Sequence, residues 1–166
     1  MCINITASIG AAVVNAACSA YLFRRNLAGD RFLALTLGYI GTMQWLEVAM
    51  HADPDCGSLN RNATRLAQWQ NALQPLVFVL CARYMLKDTF QDYMFIPFLF
   101  CAYLVLPTML NNPSGCAKPC QTGQVGLAWD YTKGVGVSWI VFALALSVPM
   151  LAIPGPRGKG FCALNV

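Results

Sequence analysis

The sequence predicts an all-α integral membrane protein, a bundle of about five transmembrane helices. Hydrophobic residues make up 57% of the 166-residue chain and charged residues only 11%, whereas soluble domains carry roughly 25% charged residues. Five apolar segments each have about the 20 residues that a helix needs to cross a hydrocarbon layer about 30 Å thick. Nothing between them indicates a soluble module, so residues 1–166 are predicted to form one domain. The predicted spans cover residues 3–23, 32–52, 63–86, 93–110 and 134–153.

The first predicted span is rich in small residues. Ser8, Ala12, Ala16 and Ala20 recur at intervals of four, and a face of small residues lets helices approach closely. A secretory signal peptide is the alternative interpretation of this segment. Because its basic residues follow the apolar run instead of preceding it, the sequence favours a membrane span.

The second and third predicted spans carry polar side chains at membrane depth. A short loop joins them, so they are expected to pack antiparallel. Counting outward from the middle of loop 53–62, Glu47 is level with Gln68, and Arg65 lies about one turn away, within reach of Glu47. We therefore predict a polar seam between the two helices. In this seam, amide side chains form hydrogen bonds from one helix to the other, and Arg65 pairs with Glu47. Its members are Gln44, Glu47, Arg65, Gln68, Asn71 and Gln74.

Glu47 has two interpretations. Ionisable side chains within membranes often mark proton or ion pathways, so Glu47 is a candidate relay group. Alternatively, Glu47 and the amides around it specify which helices meet, because interhelical polar bonds contribute only about 0.6 kcal/mol each to stability. The sequence favours the second interpretation, since a pathway needs several ionisable groups and the middles of spans one, four and five contain none.

The fourth and fifth predicted spans are the clearest ones. The segments "YMFIPFLFCAYLVLPTML" and "GVGVSWIVFALALSVPMLAI" contain no charged residue. The connection between them, 111–133, is the longest in the chain and is rich in turn residues. Loops carry many recognition sites, so loops 53–62 and 111–133 are predicted to contact partner proteins.

Basic residues predict an N-terminus on the outer or lumenal side. With that orientation, seven basic residues fall inside and four outside, in the direction of the positive-inside bias. The inner set is Arg24, Arg25, Arg31, Arg83, Lys87, Arg157 and Lys159, and the outer set is Arg61, Arg65, Lys118 and Lys133.

Four cysteines fall on the same predicted outer side. An oxidising compartment would allow them to form two disulfides. Spacing does not choose among the three possible connectivities. These residues are Cys2, Cys56, Cys116 and Cys120.

The sequence does not predict an enzyme. It contains no nucleophile elbow, zinc-protease motif or glycine-rich phosphate loop, and it predicts no catalytic residue, metal site or cofactor. The net charge of +4 is spread over short loops and not gathered in one stripe, so nucleic acid is not an expected partner. The expected partner is the lipid bilayer.

The segments "GTMQWLEVAMHADPDC" and "NRNATRLAQWQNALQPLVFVL", within residues 41–80, resemble small multi-spanning membrane proteins of unknown activity encoded by large DNA viruses of algae and protists. The resemblance implies a particle with an inner membrane beneath a protein shell. It therefore implies a minor capsid or virion-membrane protein that links the shell to that membrane, and it brings no catalytic residues. With this role, loops 53–62 and 111–133 would contact other capsid or membrane proteins. The alternative function is a small transporter or channel that uses Glu47.

Overall fold

In the computed structural model, the chain is described continuously over residues 4–86. Beyond that range it is described at 96–97, 99–100, 103–104, 106–107, 111, 115–119, 127–128, 143–144, 147 and 153. Three helices dominate this part: α1 (Ile5–Arg25), α2 (Asp30–Ala52) and α3 (Ser58–Met85). Two short strands, β1 (Lys118–Pro119) and β2 (Leu127–Ala128), pair antiparallel. The all-α prediction is confirmed. The fourth and fifth predicted spans lie largely outside the described residues.

Local capping signals in the sequence define the ends of α1. The side chain of Asn4 accepts a hydrogen bond from the backbone N–H of Ala7 at 2.9 Å and so caps the N-terminus. At the other end, Asn26 adopts a left-handed conformation with φ 53°, and its N–H donates to the carbonyl of Leu22. The connection to α2 is then held by Asp30, which accepts two hydrogen bonds from Arg25, at 2.7 and 2.8 Å.

Helices α1 and α2 pack closely through small residues. A Cβ atom at Gly41 would lie 2.9 Å from Cβ of Asn15, so this contact requires glycine. Ser19 donates to the carbonyl of Ala34 at 2.6 Å. The sequence predicted a close approach along a face of small residues, and the structure buries two of the four residues of that face.

The contact face of α1 follows a mean spacing of about 3.7 residues, close to the 3.6 residues of a helical turn, and not four. Ser8 and Ala12 are buried, but Ala16 and Ala20 are exposed. Each step of four residues turns the side chain by about 40°, since an α-helix has 3.6 residues per turn. Ala20 therefore points well away from Ser8. The stripe that meets α2 continues through Asn15 and Ser19 instead.

A five-residue turn, 53–57, connects α2 to α3. The sequence predicted a loop over 53–62, and this is wrong: residues 58–62 form the first turns of α3. Beside the turn, an apolar cluster includes Met50, Ala63 and Ala67. At the far ends of the helices a second cluster forms around Phe32 and Phe78, whose rings meet edge to face with centroids 6.4 Å apart.

Among the described helices, α1 is the one that is long and apolar enough to cross a membrane by length and composition. A signal sequence or the core helix of a soluble protein meets the same description. The helices α2 and α3 correspond to the second and third predicted spans, but neither meets that criterion by itself.

Candidate functional site

Glu47 lies buried in the helix bundle, with 1% of its surface exposed. Its Oε2 atom accepts a hydrogen bond from the hydroxyl of Ser8, on α1, at 3.3 Å. The predicted pair with Arg65 is wrong, because Arg65 is exposed and the ion pair found among the described residues is that of Arg25 and Asp30. Glu47 therefore connects α2 to α1, not to α3.

The register of α2 against α3 explains this difference. Asn60 donates to the carbonyl of Met50 at 3.1 Å, and Tyr39 donates to the carbonyl of Gln70 at 2.7 Å. In these two pairs the residue numbers add to 110 and 109, so position 47 is level with position 62 or 63. The prediction had placed it level with 68. The partner of position 47 on α3 is therefore about five residues earlier than predicted. The cause is the start of α3, which lies at Ser58, five residues before the predicted start of the third span at residue 63.

Gln70 forms the polar contact between the middles of α2 and α3. Its side-chain amide donates to the carbonyl of Tyr39 and to the hydroxyl of Thr42, each at 2.7 Å. The Tyr39 hydroxyl in turn donates to the Gln70 carbonyl. Two hydrogen bonds therefore run between Tyr39 and Gln70 in opposite directions. This contact lay outside the predicted seam, although Gln70 sits in the same amide-rich stretch.

The predicted seam residues lie in different environments. Glu47, Gln68 and Asn71 are buried, Gln44 and Gln74 are half-buried, and Arg65 is exposed. Gln44, Gln68 and Asn71 each have a partner. Hydrogen bonds among these amides across the seam stay a prediction.

The side chain of Asn60 takes part in five hydrogen bonds with described residues, and the sequence did not indicate it. It is fully buried. Its Nδ2 donates to the carbonyls of Met50, Asp53 and Ala117, at 3.1, 3.0 and 2.9 Å, and its Oδ1 accepts from the N–H of Ala117 at 3.0 Å. The amide thus pairs with both backbone groups of Ala117, as a neighbouring strand would.

Two further side chains complete what we call the Asn60 cluster, which consists of Asp53, Asn60, Thr64 and Ala117. Thr64 donates to Oδ1 of Asn60 and accepts from the N–H of Ala117, both at 3.1 Å. The carboxylate of Asp53 accepts from the N–H groups of Gly57 and Asn60, both at 3.0 Å. A carboxylate in this position satisfies unpaired donors at the start of α3 and opposes the positive end of its dipole.

A disulfide joins the turn to the segment beside the Asn60 cluster. Cys56 and Cys116 are bonded, with Cα atoms 5.6 Å apart, within the usual range. The prediction that outer cysteines form disulfides is confirmed for this pair, while Cys2 and Cys120 lie outside the described residues. Loop 111–133 is therefore attached to the α2–α3 turn both covalently and by hydrogen bonds.

The sequence contained one signal for this cluster. The segment "DPDCGSLNRNAT" places Asp, Pro and Gly before a run of polar residues, which is typical of a turn followed by a capped helix. A partner 57 residues further along the chain, at Ala117, leaves no such local signal.

The Asn60 cluster holds separate backbone segments together. Within the described ranges, no group of three His, Cys, Asp or Glu residues is placed to hold a metal ion. Every polar group of the Asn60 cluster named above is engaged in holding backbone together. No protein-family model, curated protein or solved structure matches this chain significantly.

Proposed function

We propose that this chain is a structural membrane protein of a viral particle, a minor capsid or virion-membrane protein that links a protein shell to the membrane beneath it. It is embedded as a bundle of about five spans with its N-terminus outside. Its outer end presents loop 111–133 to partner proteins.

The observation that carries the membrane embedding is the exposed apolar surface of α1. Only 11% of its most apolar stretch is buried. Val13 and Val14 are 56% and 61% exposed, and Ile9 is 41% exposed. Water would strongly disfavour so much exposed apolar surface on one helix, whereas lipid solvates it. The low burial also argues against α1 as the core helix of a soluble domain.

The position of Ala117 supports a further span after α3. Ala117 lies beside Asn60, near the start of α3, whereas α3 ends at Met85, which is 25 residues and about 38 Å further along the helix. A further span between Leu86 and Cys116 would carry the chain back over that distance. Leu99 and Tyr103 of the fourth predicted span line a pocket together with Ala72 of α3, in keeping with that return.

The braced outer end supports the linking role. A loop that must transmit force between a shell and a membrane needs a rigid attachment to the bundle, and the disulfide and the Asn60 cluster supply one. The viral setting itself rests on the resemblance of residues 41–80 to membrane proteins of large DNA viruses.

A transporter or channel that uses Glu47 is the second candidate, and the burial of Glu47 favours it. A carboxyl group with one hydroxyl partner and no cation beside it among the described residues is unusual inside a bundle. However, a single buried acid does not form a path across a membrane.

The copy number of the protein in purified virus particles tests the structural proposal. Quantitative mass spectrometry before and after detergent removal of lipid should give a fixed ratio to the major shell protein that survives the treatment. Loss of the chain together with the lipid, or its absence from particles, would contradict the linking role.

A further inference from the structure

The outer face of the α1–α2 pair contains an open groove of about 490 Å³. Its floor is formed by small residues, among them Ala16 and Ala20 of α1 and Gly38 of α2. Trp45 lines one end and Arg24 the other. From Ala12 to Arg24 the groove follows twelve residues of helix, about 18 Å, close to the roughly 15 Å depth of one leaflet.

Along its length the groove is apolar. Two hydroxyls line it, and each already donates to a backbone carbonyl: Ser19 to that of Ala34 at 2.6 Å, and Thr42 to that of Tyr39 at 2.7 Å. Neither hydroxyl therefore has its proton free to donate to a ligand. The groove therefore suits a hydrocarbon chain.

Arg24 gives the groove a charged end. Its two basic neighbours are engaged, since Arg25 bonds to Asp30 and Arg31 lies over the ring of Phe23 at 5.7 Å. Arg24 is exposed and forms no ion pair with any described residue. A cation at the end of an apolar groove complements a molecule with a hydrocarbon chain and an anionic head.

A second copy of this chain fits the groove less well. If two copies met here about an axis along the membrane normal, their α1 helices would run parallel. The two Arg24 side chains would then lie at the same depth and repel each other. Charge therefore favours lipid over a dimer.

We propose that the α1–α2 groove binds an anionic phospholipid, with one acyl chain along the small-residue floor and the phosphate on Arg24. This inference rests on the membrane embedding proposed above. One basic residue near an anionic surface contributes about 1 kcal/mol, which corresponds to an enrichment of about fivefold.

Quenching of Trp45 by brominated lipid measures this enrichment. The chain, with its other three tryptophans replaced by Phe, is reconstituted in phosphatidylcholine vesicles that contain either brominated phosphatidylglycerol or brominated phosphatidylcholine at equal mole fraction. We expect the anionic lipid to occupy the site next to Trp45 about fivefold more than the zwitterionic one. Arg24→Gln should bring the ratio close to one, and Arg65→Gln, an exposed cation outside the groove, should leave it unchanged.

Ala16→Leu provides a second arm, because its side chain fills the groove floor. It should reduce quenching by both lipids, whereas Ala17→Leu, at an exposed neighbouring position that does not line the groove, should not. A ratio near one in the parent chain, or equal quenching in all variants, would overturn the lipid site. Extraction of the reconstituted chain by alkaline carbonate would instead show that the membrane embedding itself fails.

Discussion

Single polar residues in this protein hold the backbone and the helices in register, and Glu47 is the clearest case. Its carboxyl group receives one hydrogen bond, from Ser8, in a region where both side chains are at most 1% exposed. A buried group of this kind contributes little net stability when it is paired and costs about 1–3 kcal/mol when its partner is removed. Its main effect is to make one pairing of α1 and α2 better than the alternatives.

Glu47→Gln should therefore change the free energy of unfolding by less than about 1 kcal/mol, because an amide oxygen can still accept from Ser8. Denaturant unfolding in detergent measures this change, with Ser8→Ala as the matched variant that removes the donor. Proton and ion flux in liposomes should equal that of empty liposomes for parent and variant alike. Flux through the parent chain that Glu47→Gln abolishes would support the relay function instead.

At the scale of elements, the Asn60 cluster decides how the segment around Ala117 sits on the α2–α3 turn. Gly57 belongs to the same arrangement, because a Cβ there would lie 2.5 to 2.9 Å from the atoms of the Asp53 carboxylate that caps α3. The disulfide between Cys56 and Cys116 closes a loop with a sequence separation of 60. In the chain-entropy description, a loop of this length contributes about 4 kcal/mol.

Asn60→Asp should loosen this attachment and lower the free energy of unfolding by about 3 kcal/mol. The substitution removes the donor and places a carboxylate against the carbonyl oxygens of Met50, Asp53 and Ala117. Denaturant unfolding in detergent gives the loss, and hydrogen exchange at Ala117 reports the attachment directly. The matched control is Asn62→Asp, which introduces the same charge at an exposed position of α3. Equal stability of the two variants would show that the cluster does not anchor the segment.

At the scale of the whole molecule, the two turns lie at opposite ends of α2. The helix has 23 residues, and about 34 Å of helix exceeds the thickness of a hydrocarbon layer of about 30 Å. The basic residues Arg24, Arg25 and Arg31 flank the turn at one end, and the disulfide of Cys56 lies at the other. An oxidised outer end and a basic inner end agree with the proposed orientation.

Thiols placed in the two turns should be accessible from opposite sides of a sealed vesicle. In a chain whose unpaired cysteines are replaced by Ser, we expect a membrane-impermeant maleimide to label Ser58→Cys and Ala28→Cys from different sides. Labelling of both positions from one side would exclude a membrane crossing by α2.

Much of the fold was predictable from local sequence. Composition and the lengths of the apolar segments indicated an all-α chain, because these properties depend on each segment alone. The ends of α1 follow from Asn4 and Asn26 in the same way. Among the described helices, only α1 meets the length and composition criterion for crossing a membrane. The number of five spans therefore remains a proposal.

Only the tertiary structure decided which residues meet. The partner of Glu47, the pairing of Cys56 with Cys116 and the role of Asn60 all depend on contacts between residues 39 to 60 positions apart. The observed register of α2 and α3 differs from the predicted one because Asp53 and Asn60 allow α3 to begin directly after a five-residue turn. The predicted pairing was obtained by counting outward from the middle of the loop. An error of five residues in the start of α3 therefore gave Glu47 the wrong neighbour.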